Sequence, residues 1–299
     1  MLDPAEPQIV VNCRTLYFSW LPADPDAVAS MVPAGLRPRA DRQVFMNQYV
    51  VDDAAQTSGL GAYSVTYLGI SLTGADAPDS TTSGGWWTHY LTSSPLVRAY
   101  AAARGLPAAL GHTRMDIRGE CLTAETETDG SPLIRARVRV GETGHAIRSG
   151  HHRYVTARDG ELMSNVYPYV AEPVTPFEIE SVEFLEPSHP AYALRPANPL
   201  TIAWGLYSPR FSFACPGGRA AGRLRRAALR SDRSPLTRCP RAGPAAACRP
   251  GRRPAGTPAA PRAGCTRAAA PACAGAAGRA AGARPDQRRT TSAAPRRRR

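Results

Sequence analysis

The side chains best equipped for chemistry in this chain are a few histidines, one mid-strand arginine and scattered carboxylates; lysine is absent altogether. His89 lies in the run Trp86-Trp87-Thr88-His89-Tyr90-Leu91. Aromatic side chains such as Trp87 and Tyr90 around one imidazole suit the lining of a pocket, and the imidazole suits proton transfer. The competing reading is an aromatic core holding a satisfied histidine. His112 is a second proton carrier, or an exposed loop residue. Arg14 sits mid-strand beside Cys13. Turned inward, its forked guanidinium would grip a carboxylate or enolate; turned outward, it would form a surface ion pair. His145, His151 and His152 with Glu142 invite a metal reading. Their spacing matches no metal motif, and adjacent histidines on a strand point to opposite faces, so a hairpin-end loop is expected and no metal.

Hydrophobic patterning of period two organises these residues. It predicts strands over 9–21, 43–51, 62–72 and 86–91. Short helices are predicted where Asp24 precedes Pro25 and where Ser94 precedes Pro95, the second stopping at Gly105. A strand is expected over 116–123, carrying Glu120. Hairpins follow around Asp129-Gly130 and Asp159-Gly160, then strands over 177–185, 200–207 and 211–215. In 133–141, Ile134, Ala136, Val138 and Val140 alternate with Arg135, Arg137 and Arg139, which are expected to face water and pair with Glu125 or Glu127. Roughly ten strands and two short helices point to an all-β barrel or sandwich.

The formal charge of +13 averages two unlike pieces. Residues 216–299 carry 21 arginines against Asp232 and Asp286, which leaves 16 basic and 22 acidic residues for 1–215. The final stretch has no Phe, Trp, Tyr, Val, Ile or Met and cannot offset the entropy of ordering its backbone, so 219–299 is expected to be a disordered basic tail and 1–218 the folded domain. Such a tail would attract nucleic acid only non-specifically, because it has no aromatics for stacking and no recognisable module. Seven cysteines without a CxxC, no secretory leader pattern and no long apolar run lead to the expectation of a cytoplasmic protein without a membrane span.

Thr57-Ser58-Gly59-Leu60-Gly61-Ala62-Tyr63 is very similar to a stretch typical of the acetoacetate decarboxylase family. The run from Arg14 to Val28, the turn Val32-Pro33-Ala34-Gly35-Leu36, the stretch from Tyr90 through Pro107-Ala108-Ala109-Leu110-Gly111, and Pro199 to Pro216 fall into the same register. The resemblance covers about residues 10–218 and implies a β-barrel with an internal cavity, assembled as a homo-oligomer, with no cofactor. In that family two lysines follow the proline of a Pro-Lys-Lys-Leu-Gly segment. One captures a ketone as an imine and the other lowers its pKa. Here Ala108 and Ala109 stand in their places.

The family's glutamates are likewise missing at Val65 and near Asn47 and Gln48, while its arginine survives as Arg14. Glu120 is the best remaining carboxylate for the cavity wall, and Tyr63, Trp87, Tyr90, Ala108 and Ala109 are expected around the substrate. Arginine stays protonated and cannot replace the lysine, and nothing directs the Met1 α-amino group into a cavity.

Two functions follow from the resemblance. One is a lyase-like enzyme that decarboxylates, enolises, dehydrates or condenses a small keto acid or related carbonyl compound without a lysine imine. In it Arg14 would hold an anionic oxygen and His89 or His112 would move a proton. The other is a non-catalytic small-molecule-binding barrel, an inactive relative. The abrupt shift to Arg, Ala, Pro and Gly after the matching region has the composition of GC-rich DNA read out of frame. On that hypothesis, mass spectrometry of the natural protein recovers no peptide beyond Arg219; abundant tail peptides from an intact reading frame would refute it.

Overall fold

The computed structural model describes residues 3, 5–79, 82–216 and 222–223. In chain order they form β1 (Gln8–Trp20), α1 (Pro25–Ser30), β2 (Val44–Val51), a 3-10 turn (Ala54–Gln56), β3 (Tyr63–Ser71), β4 (Gly85–Thr92) and α2 (Pro95–Ala102). There follow β5 (Ala108–Leu110), β6 (His112–Arg118), β7 (Cys121–Thr128), β8 (Ser131–Val140), β9 (Arg148–Arg158), β10 (Glu161–Ala171), β11 (Phe177–Phe184), a second 3-10 turn (Pro190–Leu194), β12 (Ile202–Cys215) and β13 (Gly222–Arg223). All belong to one unit spanning residues 1–238; a second unit, 239–299, lies outside the described residues. Apart from Gly222 and Arg223, which pair with β10, the stretch 219–299 expected to be disordered also lies outside them.

Seven strands close on themselves in the order β12-β1-β2-β3-β4-β9-β10, with β10 returning to β12 through Tyr169↔Phe213, Val170↔Ser212 and Ala171↔Phe211. Every neighbouring pair is antiparallel except β4 and β9, which run parallel and share only Gly85↔Tyr154 and Trp86↔Val155. Beyond that short seam, β5 continues the sheet from β4. A second, four-stranded sheet, β11-β8-β7-β6, lies outside the barrel.

The barrel wall is apolar on both faces, and the two faces feed two cores. On β1, Cys13 and Tyr17 point into the lumen with Phe45, Tyr49, Tyr67, Trp87 and Tyr154. Leu16, Phe18 and Trp20 point outward and pack with Met46, Leu68 and Ile70 against Leu122, Ile134, Ala136 and Val138 of the second sheet. All nine residues of β3 are consequently buried, whereas β7 and β8 alternate as strands with one wet face do. On that wet face Arg135 pairs with Glu125 at 2.6 Å, Arg114 reaches Glu125 and Glu127, and Arg139 reaches Glu178 and Glu180.

Local chemistry sets the corners. Asp24 and Ser94 accept hydrogen bonds from Ala27 N and Val97 N at the two helix starts, as their positions before proline predict. Asp129-Gly130 and Asp159-Gly160 have positive φ at both residues, the signature of two-residue hairpin turns.

Two sequence expectations are corrected. Residues 116–123 are not one strand: Gly119, at φ 59°, turns the chain, and Glu120 occupies the exposed tip of the β6–β7 hairpin. The segments 200–207 and 211–215 are one strand, β12, whose register against β1 is broken by bulges.

The closed lower part of the lumen depends on Phe45, whose ring packs on Tyr17, Tyr67 and Tyr154. Gly69 and Gly85 leave room for it: a Cβ at Gly69 would collide with the Phe45 ring and with the Trp86 carbonyl, and one at Gly85 would lie 2.6 Å from the ring. Overpacking a core in this way costs about 1–3 kcal/mol. Gly69→Ala is therefore expected to lower stability by about that amount, read as a shifted midpoint in urea denaturation, while Gly144→Ala, whose added methyl meets no neighbouring atom and whose backbone is not at positive φ, serves as the control for an added methyl without collision.

Candidate functional site

The barrel encloses a cavity of about 50 Å³ lined by Tyr49, Tyr63, Tyr67, Trp87, Tyr90, Tyr154 and Tyr167, with Asn47, His152, Arg104 and Cys215 among them. At roughly 10–15 Å³ per water, that is space for a few water molecules or one small organic acid. Strand periodicity brings these residues together. Asn47 and Tyr49, Tyr63 and Tyr67, and His152 and Tyr154 are each an even number of residues apart and so share the lumen face of their strands.

The hydroxyls form two groups. In one, Tyr154 bonds Tyr17 at 2.8 Å and Tyr67 at 2.9 Å, and Asn47 Nδ2 donates to Tyr67 Oη at 2.9 Å. In the other, Tyr49 lies 3.3 Å from Tyr63 and 3.4 Å from Tyr90. Burial holds the phenols of Tyr49, Tyr63 and Tyr154 well above their ordinary range and pushes the Cys215 thiol up to about 11. At neutral pH these groups are therefore uncharged donors and acceptors, not nucleophiles.

One cation reaches this space. Arg104 is 8% exposed, and its Nη1 donates to Tyr100 Oη at 2.8 Å. Among the described residues no carboxylate lies within ion-pair distance of it. It is placed by the end of α2. The helix buries Val97, Tyr100 and Ala101, and Arg104 continues that stripe one step further. Gly105 then turns the chain at φ 79°, where a Cβ would lie 2.7 Å from the Ala157 carbonyl oxygen. Thr156 Oγ1 of β9 donates to the Arg104 carbonyl at 3.4 Å. The backbone carrying Arg104 thus lies against Thr156 and Ala157 of β9.

Several buried polar atoms on the lining have no hydrogen-bond partner: Asn47 Oδ1, Trp87 Nε1 and both ring nitrogens of His152. The His152 ring stacks on Tyr169 at 4.3 Å and meets Tyr17 edge-on at 4.9 Å. Burial drops its pKa to about 3, so the folded protein holds it neutral. An uncompensated buried polar group costs free energy, and four of them around one cavity mark a place that a polar ligand or water completes.

The residues expected to act divide sharply. Tyr63, Trp87 and Tyr90 line the cavity. Ala108, paired with Tyr90, is half-buried against the aromatic core, and Ala109 is exposed; neither borders the cavity. The four expected to do chemistry lie outside the lumen. Arg14 alternates with Cys13 and Thr15 and faces outward, where Asp52 takes its Nε and Nη2 at 2.8 and 2.6 Å and the Met115 carbonyl takes Nη1. The hydrogen bond from Asp52 raises its pKa. His89 stands on the outer face of β4, bonded to Thr88 Oγ1 and 5.8 Å from the ring of His189; burial lowers its pKa to about 4. His112 and Glu120 are exposed on the second sheet.

Of the other histidines, His151 pairs with Asp79 on the outside of β9 while His152 points inward, as adjacent strand residues must, and no metal-binding group occurs among the described residues. Both belong to β9 and not to a hairpin-end loop. Arg104 and His152 were not singled out for this cavity. The signal for Arg104 was the helical spacing Val97–Tyr100–Ala101–Arg104, and for His152 the alternation with Tyr154.

No protein-family model matches the sequence, and no curated relative matches it. Among solved structures the chain is similar to an acetoacetate decarboxylase-like enzyme from Sphingomonas wittichii RW1, with 13% identity, TM-score 0.48, and coverage of 71% of this chain and 91% of that one. It is similar to acetoacetate decarboxylase from Legionella pneumophila subsp. pneumophila str. Philadelphia 1, at 14% identity and TM-score 0.48 over 72% of this chain and 86% of that one. A third is the enduracididine biosynthesis enzyme MppR complexed with pyruvate, at 13% identity and TM-score 0.48 over 72% and 88%.

The two depressed histidines make stability depend on pH. Each binds a proton near 6.5 when unfolded but only near 4 (His89) or 3 (His152) when folded. Between those values the unfolded chain holds more protons, so stability rises with pH there and is lost as pH falls below about 6.5. His89→Phe is expected to keep a larger fraction of its pH 7 melting temperature at about pH 4.5 than the parent does; equal losses in thermal melts of the two proteins would contradict the assignment.

Proposed function

We propose that the barrel binds a small carboxylate-bearing carbonyl compound of the keto acid class, and that whatever chemistry follows proceeds without a lysine imine. The observation that carries the reading is Arg104: a buried guanidinium at the lip of an aromatic cavity with no carboxylate partner among the described residues. Taking such a charge out of water is costly, and an incoming carboxylate repays it in fork geometry. The tyrosine hydroxyls, all neutral, supply directional contacts to a ligand's remaining oxygen, and the cavity volume limits the ligand to a few heavy atoms. Arg104 replaces Arg14 as the anion-holding residue, since Arg14 is already engaged by Asp52. The chain has no lysine, so an amine nucleophile for the ketone is missing from its side chains.

A non-catalytic binding barrel has one specific observation in its favour. No Asp or Glu lines the cavity, and burial keeps His152 weakly basic, so a strong general base is wanting.

Isothermal titration with pyruvate and with acetoacetate tests the reading. Both are expected to bind, and Arg104→Met to weaken binding by about 10-fold or more, the scale of one charge-assisted hydrogen bond. Borohydride reduction with acetoacetate is expected to leave the protein mass unchanged. Covalent labelling, or binding indifferent to Arg104→Met, would overturn it. Deuterium exchange at the ligand's α-carbon separates an enzyme, which accelerates it, from a binding protein, which does not.

A further inference from the structure

Part of the cavity lining is specified by uncommitted hydrogen-bonding groups, and a ketone does not match them. Asn47, Trp87 and His152 are each 4% exposed and border the same cavity. Asn47 Nδ2 is committed to Tyr67 Oη, which leaves Oδ1 as a buried acceptor without a donor. Trp87 Nε1 can only donate, and it has no acceptor. A neutral imidazole has one N–H and one bare nitrogen, and on His152 neither has a partner. The Tyr167 hydroxyl also has no hydrogen-bond partner among the described residues.

The site therefore presents two idle acceptors, Asn47 Oδ1 and the bare His152 nitrogen, alongside idle donors from Trp87, His152 and Tyr167. A ketone oxygen accepts only, so it would leave both acceptors buried and unpaired. A hydroxyl donates to one of them and accepts from Trp87, His152 or Tyr167. Reversing the Asn47 amide would remove one idle acceptor and leave the imidazole's.

We infer that the cavity is built for a small hydroxy acid, a three- or four-carbon carboxylate carrying a hydroxyl where a keto acid carries its ketone. The inference rests on the reading above that Arg104 receives the carboxylate, and it names the preferred occupant of that site: a keto acid also offers the guanidinium a carboxylate but leaves the two acceptors unpaired. The small volume, about 50 Å³, favours a short acid over a long or aromatic one.

The test is titration of the full chain with matched pairs, lactate against pyruvate and 3-hydroxybutyrate against acetoacetate, in the parent and in Asn47→Leu, His152→Phe and Arg104→Met. The hydroxy acid is expected to bind about tenfold more tightly in at least one pair, since an unpaired buried polar group discriminates on that scale. That preference should shrink below about threefold in Asn47→Leu or His152→Phe, with thermal melts showing which of the two variants is folded. Arg104→Met should weaken both members of a pair alike. Keto acids that bind as tightly as their hydroxy partners in both pairs, or a preference that survives both substitutions, overturn the hydroxyl assignment and leave the Arg104 reading standing. Failure of every acid to bind, or binding unaffected by Arg104→Met, overturns both.

Discussion

A β-sheet ends in unpaired backbone groups unless its last strand returns to its first, and here that return is made by β12, which pairs with β1 along most of its length and with β10 near its end. Closure defines an inside, and the two sides are furnished differently: a cluster of tyrosines with Trp87 within, and mainly aliphatic residues with Phe18 and Trp20 on the outer wall. The outer wall would be an apolar liability in water. The four-stranded sheet covers it with Leu122, Ile134, Ala136 and Val138 and presents its own arginines and glutamates to solvent. The surface ion pairs contribute little to stability; burial of the apolar faces contributes most.

Within that enclosure, burial governs chemistry more than residue type does. The same desolvation that keeps the phenols protonated keeps His152 neutral and the Cys215 thiol unreactive. Arg104 is the exception because a guanidinium does not neutralise itself by losing a proton. It retains its charge in a medium of low effective dielectric, where a partner of opposite sign is held more strongly than in water. The glycine after Arg104 lets the backbone lie against β9, where a Cβ would meet the Ala157 carbonyl oxygen.

The fold was largely legible in the sequence because both kinds of pattern behind it are local. Strand alternation and the two Asp-Gly turns mark most of the elements, and proline after Asp24 or Ser94 marks both helices. The expected barrel with an internal cavity matches the closed seven-strand architecture. Where the reading failed, a single residue carried the geometry. Gly119 breaks what looks like one strand, and bulges join what looks like two.

The site was legible only in its walls. Trp87 and Tyr90 follow from aromatic clustering and Tyr63 from the resemblance, but which way a polar strand residue points is decided by register, and one position of difference sends Arg14 and His89 to the outer face while Cys13 and Tyr90 face inward. The resemblance directed attention to Arg14 as an anion holder and to the Ala108-Ala109 segment as the vacated centre. The buried cation without a carboxylate partner among the described residues instead stands four residues before Ala108, just past the end of α2.

The two-faced wall has a consequence for how such a molecule changes over time. Its strands are gripped from the outside by an apolar interface that takes no part in lining the cavity, so part of the duty of holding the fold together lies away from the lumen. Substitutions among the lining residues, such as Asn47, Trp87 or His152, alter the inner surface while the outer packing stays intact. A container of this design can have its interior rebuilt while its outer wall keeps the strands in place.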